Sequence, residues 1–212
     1  MPVKTYPKVF KFRGGHPALD FANTVHWHAT PAPVELLTSY DALVDWAAQA
    51  GLVAAGLARR LRQAAAQAPA RAEAVRQTAL ALREAVYRLF VARARGEPPA
   101  AADLATLNRH LAAAYARLRL VPAAAGYVWE WTAADPELER PLWPVARAAA
   151  ELLTSPQLAR VGQCADERGC GWLFLDTTKN GRRRWCATDD CGSINKARRY
   201  YRRQKARRAA RR

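Results

Sequence analysis

The four cysteines of this chain, Cys164, Cys170, Cys186 and Cys191, fall in one stretch with the spacing C-x5-C-x15-C-x4-C. Two close pairs flanking a mid-length insert can converge on one tetrahedral zinc, each pair supplying two thiolates about 2.3 Å from the metal. Four sulfur ligands leave no open coordination position, so the zinc is expected to be structural and not catalytic. Two disulfides are disfavoured, because Met1 to Asp20 contains no export signal and cytoplasmic thiols stay reduced. A redox centre is disfavoured as well, since neither pair has C-x-x-C spacing.

The insert reads as a hairpin, with Trp172 to Asp176 as the outgoing strand, Lys179-Asn180-Gly181 as the turn and Arg182 to Trp185 as the return. Cys191 then opens a helix, where the backbone dipole and Arg182, Arg183 and Arg184 favour thiolate over thiol. Knuckle, hairpin and ligand-bearing helix in that order make a small treble-clef-like zinc finger with four cysteine ligands. Trp172, Phe174 and Trp185 are expected to form its core.

The formal charge of +16 is concentrated at the same end. Gly162 to Arg212 holds 15 basic and 5 acidic residues, and Lys196 to Arg212 holds ten Lys or Arg and no acid. Such density suits a polyanion, with DNA the leading partner and Arg182, Arg183, Lys196, Arg198, Arg199, Arg202, Arg203 and Lys205 the contact candidates. The alternatives are a solvated basic tail, or a protein-interaction or RNA-binding module in which zinc is purely architectural. Of Tyr200 and Tyr201, one is expected to pack inward and the other to face the partner.

Upstream, hydrophobic periodicity points to a mainly α unit with a minor β-hairpin. Gly14-Gly15-His16-Pro17 is a turn leading into a short element over Leu19 to Thr24. Thr38 or Ser39 can cap a helix through Leu43, Val44 and Trp46 that stops at Gly51. A long helix carries Val75, Ala79, Leu82, Val86 and Leu89 on one face and ends at Gly96. The next begins near Asp103, whose carboxylate can serve its amide end, and carries Leu104, Leu107, Leu111 and Leu118. Leu118 to Val121 and Tyr127 to Trp131 read as a hairpin, and a last helix spans about Pro141 to Leu153. The expected division is 1–158, 159–206 and a basic tail 207–212. Few contacts need cross near Ser155-Pro156, so the upstream unit is expected to fold alone. With no run of eighteen apolar residues, no membrane span is expected and the protein reads as cytoplasmic.

Asp20, Asn23, Thr24, His26 and His28 gather near one turn. No nucleophile motif, carboxylate pair or glycine-rich phosphate loop accompanies them, so satisfied structural groups are the simpler reading and no enzyme is expected. Asp20, Asn23 and Thr24, with Arg83 and Glu84 of the long helix, are the candidates to line a small-molecule effector pocket. A homo-oligomer is also compatible with the chain.

The run Cys170-Gly171-Trp172-Leu173-Phe174-Leu175-Asp176, then Arg183-Arg184-Trp185-Cys186, then Cys191-Gly192 and Lys196 to Arg203, resembles the CGNR zinc finger. Upstream, Gly14-Gly15, Leu19 to Thr24, Trp46, Leu82-Arg83-Glu84-Ala85 and Leu152-Leu153 are similar to the ABATE domain that usually precedes it. The resemblance implies a bacterial, stress-induced transcription regulator whose finger binds zinc and DNA. This chain has Ser193-Ile194 where Asn-Arg normally follows the glycine, so a contact by that arginine is not available to it.

Overall fold

The computed structural model describes residues 10–132 and 136–209. Helix α1 (Pro17–Ala22) starts at a proline whose missing N–H would be unpaired anyway. A short antiparallel pair follows, β1 (Val25–His26) with β2 (Val34–Glu35). Helix α2 (Tyr40–Gln49) is capped by Ser39, whose hydroxyl accepts from the Ala42 amide at 3.1 Å. Helix α3 (Ala55–Gln67) was not expected, because alanine and arginine blur its period; Ala58, Leu61 and Ala65 nonetheless mark a buried stripe. Helix α4 (Pro69–Arg95) ends at Gly96, which takes the left-handed conformation that glycine adopts without strain.

Helix α5 (Ala101–Tyr115) leads to the expected hairpin of β3 (Leu118–Ala123) and β4 (Gly126–Trp131), then to α6 (Leu142–Leu153). Asp103 lies in the first turn of α5, but its carboxylate turns to Arg88 of α4 at 2.6–3.1 Å and ties the two helices together. Leu104 is largely outside the core and Leu118 belongs to β3, so the apolar face of α5 is narrower than its leucines suggest.

Helix α4 runs through the core, and α1, α2, α5 and α6 pack around it. Leu19, Phe21, Trp46, Leu82, Phe90, Leu107, Leu142 and Leu152 are fully buried there, with the Phe21 and Trp46 rings 5.0 Å apart. Each such side chain contributes on the order of 1.5–3 kcal/mol through burial.

A short 3-10 turn (Pro156–Arg160) then delivers β5 (Val161–Gln163), which pairs antiparallel with β6 (Leu173–Leu175). This corrects the expected hairpin. The partner of β6 precedes it, and the residues from Arg182 to Trp185 form no strand. They are held instead by side chains: Asp176 accepts from the Arg183 amide at 2.9 Å, and the Arg183 guanidinium donates to the carbonyls of Leu175 and Trp185, each at 3.0 Å. A wide turn (Thr188–Gly192) leads into α7 (Ser193–Ala209).

Strand β6 is apolar on both faces because it divides two cores. Leu173 and Leu175 join the cluster of α1, α4 and α6, whereas Phe174 joins Trp172 and the four cysteines. Its free edge is bonded upstream, the Leu175 amide to the Gly14 carbonyl at 2.7 Å and the Leu173 amide to the Asn23 side chain at 2.8 Å. Residues on both sides of Ser155-Pro156 therefore bury one another, with more contact across that point than the sequence suggests.

Candidate metal centre and basic helix

The β5–β6 hairpin supplies the first pair of ligands, because its connecting loop is the knuckle that runs from Cys164 to Cys170. The Cys164 amide donates to the Trp172 carbonyl at 2.7 Å and closes that loop. Gly169 and Gly171 both have positive φ, and the loop lies so close to the residues after β1 that a Cβ on Gly171 would sit 2.8 Å from the Ala29 nitrogen. The second pair flanks the turn before α7, which is closed by the Gly192 amide on the Ala187 carbonyl at 2.9 Å.

All four thiols are buried, and their Sγ atoms lie within 4.8 Å of one another. Cys186 Sγ is 3.8 Å from Cys170 Sγ and 3.7 Å from Cys191 Sγ. Those separations are far beyond a disulfide bond of about 2.0 Å. They match the edge of a tetrahedron with metal–sulfur bonds of about 2.3 Å, which is about 3.8 Å. The donor set thus fits one structural zinc and leaves no position open for substrate. Hydrogen bonds set the thiols against one another: those from Cys170, Cys186 and Cys191 favour thiolate at Cys164, and those with Cys164 and Cys170, with burial, push Cys186 and Cys191 up. A dication removes the conflict by favouring thiolate at every position.

Three polar residues that the sequence reading missed lock α7 to the first knuckle. The Asn195 amide donates to the Asp166 carboxylate at 2.9 Å and to the Cys191 carbonyl at 2.7 Å. Arg168 grips the same carboxylate at 2.6–3.0 Å and reaches Cys191 Sγ at 3.8 Å. Burial works against the Asp166 charge, but Arg168, Asn195 and the Arg168 amide overcome it and hold its pKa at about 2. The signal available was spacing, Asp166 two residues after the first cysteine and Asn195 four after the last.

The predicted contact residues separate into groups. Arg183 lies inside the finger, over the Phe174 ring at 4.5 Å and bonded to the carbonyls of Arg13, Leu175, Trp185 and Cys186. Arg199 lies over Trp185 at 5.7 Å, and Arg202 pairs with Glu167 at 2.9 Å. Arg182 and Lys196 line an open groove of about 960 Å³ with Arg13, Lys179, Arg184 and Trp185. Lys196, Arg198, Arg203 and Lys205 are exposed on α7 and have no carboxylate partner among the described residues. The acids nearby are already neutralised, Asp189 by Arg13 and Asp190 by Lys11, each at 3.3 Å. Tyr200 and Tyr201 are both exposed, so neither packs inward as one was expected to.

A sequence profile of the ABATE family, described as "putative stress-induced transcription regulator", matches residues 15–156, and the CGNR zinc finger profile matches residues 160–204. This chain belongs to the ABATE family. No curated protein matches it. Both matched families are regulatory or zinc-finger domains and neither is enzymatic. Among the described residues, no helix of this ABATE protein is long and apolar enough to cross a membrane.

The five effector-pocket candidates all lie in the ABATE region, but they bond to one another, to Glu35, to His28 or to backbone. Asp20 accepts from the Gly14 amide at 2.7 Å, Asn23 brackets Leu173, and the Thr24 hydroxyl donates to the Phe21 carbonyl at 2.8 Å. Arg83 forms a bidentate pair with Glu35 at 2.7 and 2.8 Å and touches Glu84 at 3.0 Å. His26 stacks on Trp172 with ring centres 5.3 Å apart, and His28 stacks on Tyr87 at 3.5 Å and bonds Glu84 at 3.0 Å. Together these residues join the ABATE core to the finger.

Proposed function

We propose that this chain is a DNA-binding transcription regulator in which zinc fixes α7 against the first knuckle and so presents a preformed basic surface to duplex phosphates. The observation that carries this reading is the asymmetry of α7. Its first turns are anchored through Asn195, Arg199 and Arg202, while Lys196, Arg198, Arg203 and Lys205 stay exposed without acidic partners among the described residues. A helix of 17 residues is about 25 Å long and of a width the major groove admits. The shared core gives the ABATE region a direct mechanical route to the helix, which suits a sensor or assembly role for that region.

With about five phosphates neutralised, log affinity for duplex DNA should fall against log salt with a slope of roughly −4 to −5. Cys191→Ser keeps every positive charge but releases the helix, and should weaken binding at least tenfold. Equal affinity of that variant and the parent at one salt concentration would reject the scaffold reading. A second reading, single-stranded RNA, is favoured by one feature: Tyr200 and Tyr201 form an exposed edge-to-face pair with centres 5.7 Å apart on the basic helix. Competition between duplex DNA and single-stranded RNA at equal salt decides between the two.

A further inference from the structure

Hairpin β3–β4 turns large apolar groups to solvent: Leu120 and Trp129 are each 54% exposed and Tyr127 is 71% exposed. A two-stranded ribbon alone is marginal in water. This one is fixed at its base. The Thr132 amide donates to the Arg117 carbonyl at 2.7 Å, Arg117 pairs with Glu137 at 2.7 Å, and the Arg140 guanidinium lies 5.1 and 5.2 Å from the ring centres of Trp131 and Trp143. The ribbon is therefore presented in a set orientation, which lowers the ordering cost of any contact it makes.

Its two edges are not equivalent. In an antiparallel pair, successive residues turn their backbone groups alternately toward and away from the partner strand. The Thr132–Arg117 bond sets the phase, so the pairs Arg119–Glu130 and Val121–Val128 bond across the ribbon, while Tyr127, Trp129 and Trp131 on β4 and Leu118, Leu120 and Pro122 on β3 point outward. Pro122 has no N–H, which blocks the β3 edge. Strand β4 has no proline and carries a single charge, Glu130.

We propose that β4 pairs with β4 of a second copy of this chain, antiparallel about a twofold axis at Trp129, to form a four-stranded sheet in a homodimer. In that register Trp129 meets its own symmetry mate, Tyr127 meets the partner's Trp131, and Glu130 meets the partner's Val128, so no like charges oppose each other. The outward groups supply about six backbone hydrogen bonds. Exposed aromatic and aliphatic surface on the ribbon is on the order of 450 Å² per copy, the size of a monomer's largest apolar patch, which is often a functional one. Edge pairing covers the strand edge and the facing flanks of these rings, which puts the contact in the small, weak class of interfaces. A second copy fits because a twofold contact requires a self-complementary patch, and this edge is one.

Sedimentation velocity of the full, zinc-loaded chain at micromolar concentration tests the arrangement, and a species of twice the chain mass is expected. Trp129→Lys sets two ammonium groups face to face on the axis and should give monomers, as should Trp129→Glu alone. An equimolar mixture of the two should restore the dimer. Tyr127→Pro removes an outward N–H, as Pro122 does on the other strand, together with the exposed ring that meets the partner's Trp131, and should weaken the dimer at least tenfold without shifting the melt. A parent that stays monomeric up to about 100 µM, or a dimer that survives Trp129→Lys, overturns the proposal.

Discussion

Asn23 and Leu173 exchange two hydrogen bonds across 150 positions of sequence: the Asn23 amide donates to the Leu173 carbonyl and the Leu173 amide donates back to Asn23 Oδ1, both at 2.8 Å. One side chain thus acts as a strand neighbour for β6. Asn23→Ala leaves both Leu173 groups buried and unpaired, at a cost of about 2–4 kcal/mol. Urea unfolding measures this, and a loss below about 1 kcal/mol would show that water replaces the amide.

Zinc removal is expected to act on the whole chain. Structural zinc contributes on the order of 10–16 kcal/mol of apparent binding free energy in small modules, and here the module includes Leu173 and Leu175 of the main core. Chelation should lower the thermal midpoint of the helical signal by at least about 10 °C. A helical melt unchanged by chelator would mean that the ABATE region stands without β6.

Burial raises the Asp20 carboxyl from 3.8 to about 6, against the pull of the Gly14 and Arg13 amides. Its pKa is higher folded than unfolded, so the stability it contributes is fully present below pH 3.8 and is lost as pH rises through 6. Relative to the parent, Asp20→Asn should therefore gain stability between those limits, by up to about 3 kcal/mol. Denaturant midpoints taken across that range test the sign; a flat difference would refute it.

Arg183 and Arg203 should differ in kind. Arg183→Ala removes a guanidinium from four backbone carbonyls and should destabilise the finger by about 2–4 kcal/mol, with zinc lost to a competing chelator at lower concentration. Arg203→Ala should leave stability within about 0.5 kcal/mol and lower the salt slope of DNA binding by about one. The reverse outcome would place Arg183 at the nucleic acid.

Ligand identity was legible in the sequence because cysteine spacing and chemistry constrain each other tightly, and the capping serine and terminal glycines of α2 and α4 were legible for the same local reasons. The strand partner of β6 was not. Lys179-Asn180-Gly181 has turn chemistry, yet side-chain bonds from Asp176 and Arg183 outcompete a ladder there. The contact between the two regions was illegible for a similar cause: an apolar run such as Trp172 to Leu175 shows that both faces are buried but not in what. Polar residues near Asn23 could be read as satisfied groups or as a pocket, because a network satisfied across 150 positions presents the same composition as an open one.

The division of β6 between two cores also sets a timetable for synthesis. Helix α1 leaves the ribosome about 150 residues ahead of the strand that covers it, so at about 5–20 residues per second it waits roughly 8–30 s with its partner still untranslated. The nascent chain thus holds an incomplete core until Leu173 and Leu175 emerge, and the knuckle between Cys164 and Cys170 emerges just before them. Metal capture and closure of the core therefore fall in the same brief interval of translation, when a shortage of zinc would leave both cores open to proteolysis.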